Sequence, residues 1–191
     1  MPLKRWTTLS RRFVHENPWW RYRLDEFILP NGTKSEYHCV QTNGSSMVVP
    51  VDAEGKILLV NQYRYLLDRE SLELPCGGVK DGSSYDGTAR QELAEETGYT
   101  ADSLICVGEF NPFNGVTDEM CRVYVASGLG FVGAKPEETE EFELIRLSPA
   151  ELDERIASGE IWDGMTMAAW AMARSRVPAG AEPPNRKADR Q

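Results

Sequence analysis

Three glutamates, Glu92, Glu95 and Glu96, constrain this chain more than any other feature. If residues Ser84 to Thr97 form a helix, offsets of three and four residues line all three along one side of it. Like charges at that spacing cost roughly 0.2–0.5 kcal/mol per pair on an open helix surface. The arrangement makes physical sense when a cation sits among them. Carboxylate and carbonyl oxygens suit a hard divalent ion, so Mg²⁺ is expected, with Mn²⁺ as a substitute.

The helix itself is well signalled. Ser83 and Ser84 can accept from the first free backbone N–H groups, Asp86 favours the positive end of the helix dipole, and Gly98 suits the left-handed position past the last turn. Tyr85, Ala89 and Leu93 recur every four residues, which predicts a buried stripe beside the acidic one. Gly87 opposes the helix by about 1 kcal/mol relative to Ala. Ahead of it, Pro75-Cys76-Gly77-Gly78 reads as a tight turn whose backbone can approach an ion or a phosphate, because glycine lacks a Cβ.

From Leu74 to Tyr99 the chain resembles the Nudix box, in which a glycine opens a loop and the helix that follows reads R-E-U-x-E-E-x-G-U, with U a bulky apolar residue. Glu92, Leu93, Glu95, Glu96, Gly98 and Tyr99 match. Ser83 stands where the loop glutamate of that family belongs, Gln91 where its arginine belongs, and Lys80 where many relatives carry an acid. Arg90, one position early, points about 100° away on a helix and cannot replace that arginine. The ion-binding core therefore reads as intact and its supporting shell as altered. The resemblance implies an α/β/α sandwich with a mixed sheet and an N-terminal β-hairpin extension. It further implies Mg²⁺ held by Glu92, Glu96 and Glu95 with the Cys76 carbonyl, Glu95 also counting among the catalytic groups.

The rest of the chain fits one globular domain with a small appendage: 191 residues, 41% hydrophobic and 27% charged. A net charge of −9 argues against duplex nucleic acid or an anionic membrane as a partner. No apolar run approaches the about 18 residues of a membrane span, and the N-terminus lacks a signal-peptide core, so a cytoplasmic protein is expected. Cys39, Cys76, Cys106 and Cys121 are scattered singly and read as reduced thiols, with no zinc pattern. Asn31-Gly32-Thr33 and Asn43-Gly44-Ser45 read as turn chemistry.

Three regions are expected: residues 1–46, 47–177 and a disordered tail at 178–191. In the first, strands at 21–29 and 35–42 flank Pro30-Asn31-Gly32, a hairpin signal. In the second, strands are expected at 47–51, 56–63, 104–110, 121–126 and 142–147, and closing helices at 149–158 and 163–174. Ser148-Pro149-Ala150-Glu151 forms a capping box.

The remaining site residues come from the ADP-ribose pyrophosphatase branch of the Nudix family. There an N-terminal hairpin commonly exchanges between two subunits and its aromatic residues stack on the nucleobase, so Trp19 and Trp20 read as base-binding residues or as core and interface residues of a homodimer. Gln62-Tyr63-Arg64 resembles a Q-x-R whose arginine reaches the substrate's phosphates, a task suited to the guanidinium fork. The loop from Asn111 to Glu119 resembles Y-P-S-P-G-F-S-D-E, with Asn114 in place of the second proline and with Gly115 and Glu119 as substrate contacts. The acidic run Lys135 to Glu143 resembles the loop that carries the general base, Glu138 aligning best and Glu140 second. The expected reaction is Mg²⁺-dependent hydrolysis of a nucleoside diphosphate linked to another moiety, with ADP-ribose favoured. Nucleotide sugars are the near alternative, and a non-hydrolytic Nudix-fold nucleotide-binding module or a structural protein with a solvated acidic helix are the others.

Overall fold

The acidic helix, α1 (Tyr85–Thr97), forms where its local signals place it. Ser84 is the N-cap, its Oγ accepting from the Gly87 N–H, and Gly98 closes the helix with φ of 76° while its N–H donates to the Ala94 carbonyl. Gly87 thus sits in the first turn, where its N–H serves the cap and its flexibility costs little. Ala89 and Leu93 are buried against Val48, Tyr124 and Ala126, with Tyr85 packed at the margin. Burying a leucine in this way contributes about 1.5–3 kcal/mol.

A computed structural model describes residues 2–133 and 142–177. Its strands are β1 (Thr7–Glu16), β2 (Arg21–Ile28), β3 (Lys34–Gln41), β4 (Ser45–Pro50), β5 (Ile57–Arg64), β6 (Arg69–Glu73), β7 (Cys76–Gly78), β8 (Tyr99–Phe110), β9 (Cys121–Phe131) and β10 (Glu143–Leu147). Helices α2 (Pro149–Ala157) and α3 (Gly164–Ala173) close the chain. One sheet runs β7-β4-β9-β8, another β10-β5-β6, and a third β1-β2-β3. The pairing of β4 with β9 is parallel and the others are antiparallel, so the sheet structure is mixed. Residues of β4 alternate between two cores: Val48 faces α1, while Met47 and Val49 join Val123, Ala169 and Trp170 on the side of α3. This is the α/β/α sandwich expected.

Three strands went unforeseen, β1, β6 and β7; the segment Cys76–Gly78, expected as part of a tight turn, is instead a short strand paired antiparallel with β4. All ten residues of β1 are exposed, so TTLSRRFVHE carries no buried alternation to announce a strand. The N-terminal extension holds the expected hairpin, β2 and β3, widened by β1 into a three-stranded sheet, and Trp19 and Trp20 lie in the turn between β1 and β2, not upstream of the first strand. Strand β6, RESLE, is short and polar at its start. The two central hairpin strands also run longer than read: β8 starts at Tyr99, directly after the helix cap, and β9 continues to Phe131. Polar and glycine-containing ends such as Thr100-Ala101-Asp102 and Ser127-Gly128 hid these extensions.

The N-terminal sheet is tied to the rest of the chain through one loop. Val40 donates to the Val116 carbonyl, and the Asp118 carboxylate accepts from Arg23, Gln41 and the Thr42 N–H. The turn-forming Asn43 donates to Asp81 at 2.8 Å. Strand β4 begins at Ser45, so the chain passes from this sheet into the sandwich without a linker. No helix among the described residues is long and apolar enough to cross a membrane.

At α2 the capping box is complete: Glu151 N–H donates to Ser148 Oγ, and Ser148 N–H and Oγ both donate to Glu151 Oε2 at 2.8 Å. These bonds, the backbone one foremost, hold the Glu151 carboxyl below its ordinary range. A carboxyl depressed on folding stabilises above its unfolded pKa and loses that contribution as pH falls through the folded value. Because Glu151 is exposed and solvent screens its charge, Glu151→Gln should cost no more than about 0.5 kcal/mol at neutral pH. Urea titrations at falling pH should show the gap between the two proteins closing in the acid range.

Candidate active site

The turn Pro75-Cys76-Gly77-Gly78 places backbone against the acidic helix. Val48 N–H donates to Pro75 O and Val79 N–H to Gly44 O, which makes those the hydrogen-bonded pairs of the β4–β7 ladder. By the alternation of antiparallel pairing, Cys76, opposite Met47, has its N–H and C=O turned away from β4. The N–H goes to Glu96 Oε2 at 3.3 Å. Glu96 is only 6% exposed, so this bond and the nearby Cys76 carbonyl edge belong to a sheltered site. Gly77 has no room for a side chain: a Cβ there would fall on the carboxyl group of Glu92. Glu92 and Glu96, one turn apart, thus both reach the same short strand.

Around this pair the supporting contacts differ from the box pattern. Gln91 Nε2 donates to Glu95 Oε1 at 3.0 Å, so the residue that replaces arginine orients one of the acids as a neutral donor. Arg90 turns the other way, to Asp86 and the Ala101 carbonyl, as the helical angle requires. Ser83 is exposed, its N–H bonded to the Lys80 carbonyl. The i,i+4 spacing of Gln91 and Glu95 was the available signal for that contact.

Long-range contacts fix the turn from behind. Leu74 N–H donates to the buried Thr166 Oγ1 at 3.1 Å, and Thr166 N–H donates to Asp163, the N-cap of α3. The Cys76 thiol contacts that of Cys121; this hydrogen bond, with burial second, pushes Cys76 well above its ordinary range and lowers Cys121. Both are free cysteines. Ser45 Oγ donates to Glu119 Oε1 at 2.6 Å, so Glu119 is anchored at the start of β4 rather than loose in its loop. Thr166, Asp163 and Ser45 carry no local sequence signal of a site; only the fold brings them here.

The expected substrate contacts occupy several other elements. Arg64 ends β5 and its guanidinium pairs with Glu73 through Nε at 2.7 Å and through Nη2. Gly115 is exposed with open space at its Cα, and its carbonyl accepts from Tyr37 Oη at 3.0 Å. Asn17 Oδ1 accepts from the N–H groups of both Trp19 and Trp20 at 2.9 Å, holding the turn that presents them. Trp19 is 79% exposed. The two rings border a cleft lined also by Arg21, Gln41, Asn43 and Asp81, the last on the loop that leads into α1. Glu138 and Glu140, the general-base candidates, and the tail 178–191 lie outside the described residues.

Hard oxygen donors dominate the centre: two carboxylates one helical turn apart and an outward-facing backbone carbonyl. Among the described residues no three Asp, Glu, His or Cys side chains converge on one point. Carboxylate and carbonyl oxygens are the donors that hard divalent cations accept.

Comparison with known proteins adds the following. Residues 42–165 match the profile of the NUDIX domain, and residues 6–40 that of the nucleoside diphosphate sugar hydrolase N-terminal domain. The chain is 34% identical over 145 residues to the ADP-ribose pyrophosphatase of Bacillus subtilis, covering 75% of this chain and 78% of that protein. It is 30% identical over 179 residues to the ADP-ribose pyrophosphatase of Mycobacterium tuberculosis, covering 92% and 86%. A crystal structure described as that of an ADP compounds hydrolase superposes with a TM-score of 0.81 at 20% identity, over 92% of this chain and 96% of that one, a likeness of fold.

Proposed function

The chain belongs to the Nudix hydrolase family, and from that premise we propose that it hydrolyses the pyrophosphate bond of ADP-ribose, giving AMP and ribose 5-phosphate. The observation that carries this reading is the pairing of Glu92 and Glu96 with one turn, Glu92 against Gly77 and Glu96 on the Cys76 N–H. The relatives named ADP-ribose pyrophosphatase supply the substrate class. A match of the N-terminal region to nucleoside diphosphate sugar hydrolases keeps nucleotide sugars as the second reading.

Glu92, Glu96 and the Cys76 carbonyl would hold Mg²⁺, with Mn²⁺ as the substitute and Glu95 as a further carboxylate nearby. The bound ion supplies neutralisation of diphosphate charge and a lowered pKa of bound water. Arg64 binds the diphosphate, and Trp19 and Trp20 offer aromatic faces to the base. Gly115 offers close backbone approach and Glu119 a polar contact to the substrate. Glu138, with Glu140 second, accepts the proton of the attacking water. Such a division separates binding and alignment from proton transfer. Residues 1–46 act as a dimerising unit whose exposed aromatic residues are shared between base binding and subunit contact.

The test is a panel of ADP-ribose and nucleotide sugars with Mg²⁺ or Mn²⁺, products resolved by phosphorus NMR. AMP and ribose 5-phosphate as the dominant products support the reading; faster cleavage of a nucleotide sugar moves the chain to the second. Nucleotide-dependent rise of the melting midpoint without any product would mark a binding module instead. Trp19→Ala is expected to weaken nucleotide binding roughly tenfold through lost stacking, worth about 1–1.5 kcal/mol. Nucleotide titration and sedimentation of that variant, both unchanged, would remove the ring from base and interface alike.

A further inference from the structure

Arg64 stands at the very end of β5, where an unassisted side chain would extend into solvent. Its guanidinium instead lies back along the sheet. The register pairs Val60 with Glu73, Gln62 with Ser71 and Arg64 with Arg69, so these residues share one face of the β5–β6 pair. On that face Arg64 reaches past the Gln62–Ser71 pair to Glu73, donating through both Nε and Nη2, while Gln62 Nε2 donates to the same carboxylate at 3.4 Å. Glu73 is only 4% exposed at its side chain and Arg64 45%. A carboxylate so deeply buried is costly unless paired, which locks the arginine onto it.

Position gives this lock its meaning. Glu73 immediately precedes Leu74 and the turn that faces Glu92 and Glu96. Drawn to Glu73, the Arg64 charge lies within electrostatic reach of Cys76 and Asp163, beside that turn. Two of the guanidinium's nitrogens are committed to Glu73 and the remaining N–H edge is left for an incoming anion. Ser71 Oγ, buried on the same strip, has no hydrogen-bond partner among the described residues, so the strip holds polar capacity still unspent.

We infer that Glu73 is a positioning residue for substrate binding: it swings Arg64 back from the strand end and presents the guanidinium to the diphosphate before substrate arrives. The inference rests on the reading of Arg64 as a diphosphate ligand. Freezing a long arginine side chain is entropically costly, and holding it in advance moves that cost from binding to folding.

The test compares kcat and KM for ADP-ribose with Mg²⁺ in Glu73→Gln, Glu73→Asp, Arg64→Ala and the double variant Arg64→Ala/Glu73→Gln. Glu73→Gln is expected to raise KM about tenfold, well beyond any fall in kcat, and to add nothing once Arg64 is gone. A raised KM in Arg64→Ala with a normal one in Glu73→Gln overturns the role of Glu73 alone. A normal KM in Arg64→Ala overturns the diphosphate contact and the inference with it. If Glu73→Gln does not fold, Glu73→Asp decides: it keeps the charge but shortens the arm, so a raised KM at an unchanged melting midpoint supports the positioning role, and a normal KM overturns it.

Discussion

Glu96→Gln is expected to lose Mg²⁺-dependent hydrolysis by on the order of a thousandfold, about 4 kcal/mol of transition-state stabilisation, while folding normally. The two halves of that expectation have different physical origins. Glu96 accepts the Cys76 N–H through one oxygen, and the amide oxygen of glutamine can accept the same bond, so the turn keeps its tie to the helix. What glutamine lacks is the negative charge that a hard divalent ion requires. Circular dichroism and thermal melting should match the parent protein, and steady-state turnover should not. Unchanged turnover would remove Glu96 from the mechanism.

Gly77→Ala should cost about a hundredfold in activity with little loss of stability. A methyl group at this position falls on the Glu92 carboxyl group. That group is the far end of a flexible side chain, so it yields by rotating away and the fold is spared. The displaced carboxylate no longer reaches the turn, and a misplacement of about 1 Å at a reacting centre is enough for a loss of this size. Since Gly77 lies outside the left-handed region, alanine there brings no backbone strain of its own. A variant that keeps full activity would show that Glu92 works from a position other than the one it occupies here.

The two expectations also show which parts of this protein a sequence reader can reach. Helix α1 was legible because its signals are local: a serine cap, a glycine in the left-handed position and a four-residue apolar repeat each act within a turn or two. The segment ahead of it was not, because the turn expected there is strand β7, and its pairing with β4 is a contact distant along the chain. Strand β1 was not, because every residue in it is exposed and its pairing with β2 leaves no burial pattern behind. Gln91 read as a missing arginine. In the fold it is a donor to Glu95, a contact that its spacing permitted but did not require.

Other site contacts were out of reach altogether. Thr166 bonds Leu74 across 92 positions of chain, and Asp118 joins Arg23 across 95. Neither pair shares a local pattern, and each exists only because the strands have already stacked.

Spacings within a few residues were enough to place the acidic helix, its caps and the alignment of its three glutamates. Long-range packing alone sets how the segment ahead of α1 is braced by α3, that Glu119 is anchored on Ser45, and that Arg64 is folded back onto Glu73. The difference lies in the range of the forces. Helix and turn geometry are set by neighbours along the chain, whereas the placement of a buried carboxylate beside a distant guanidinium is set by sheet register and by the cost of leaving that charge unpaired.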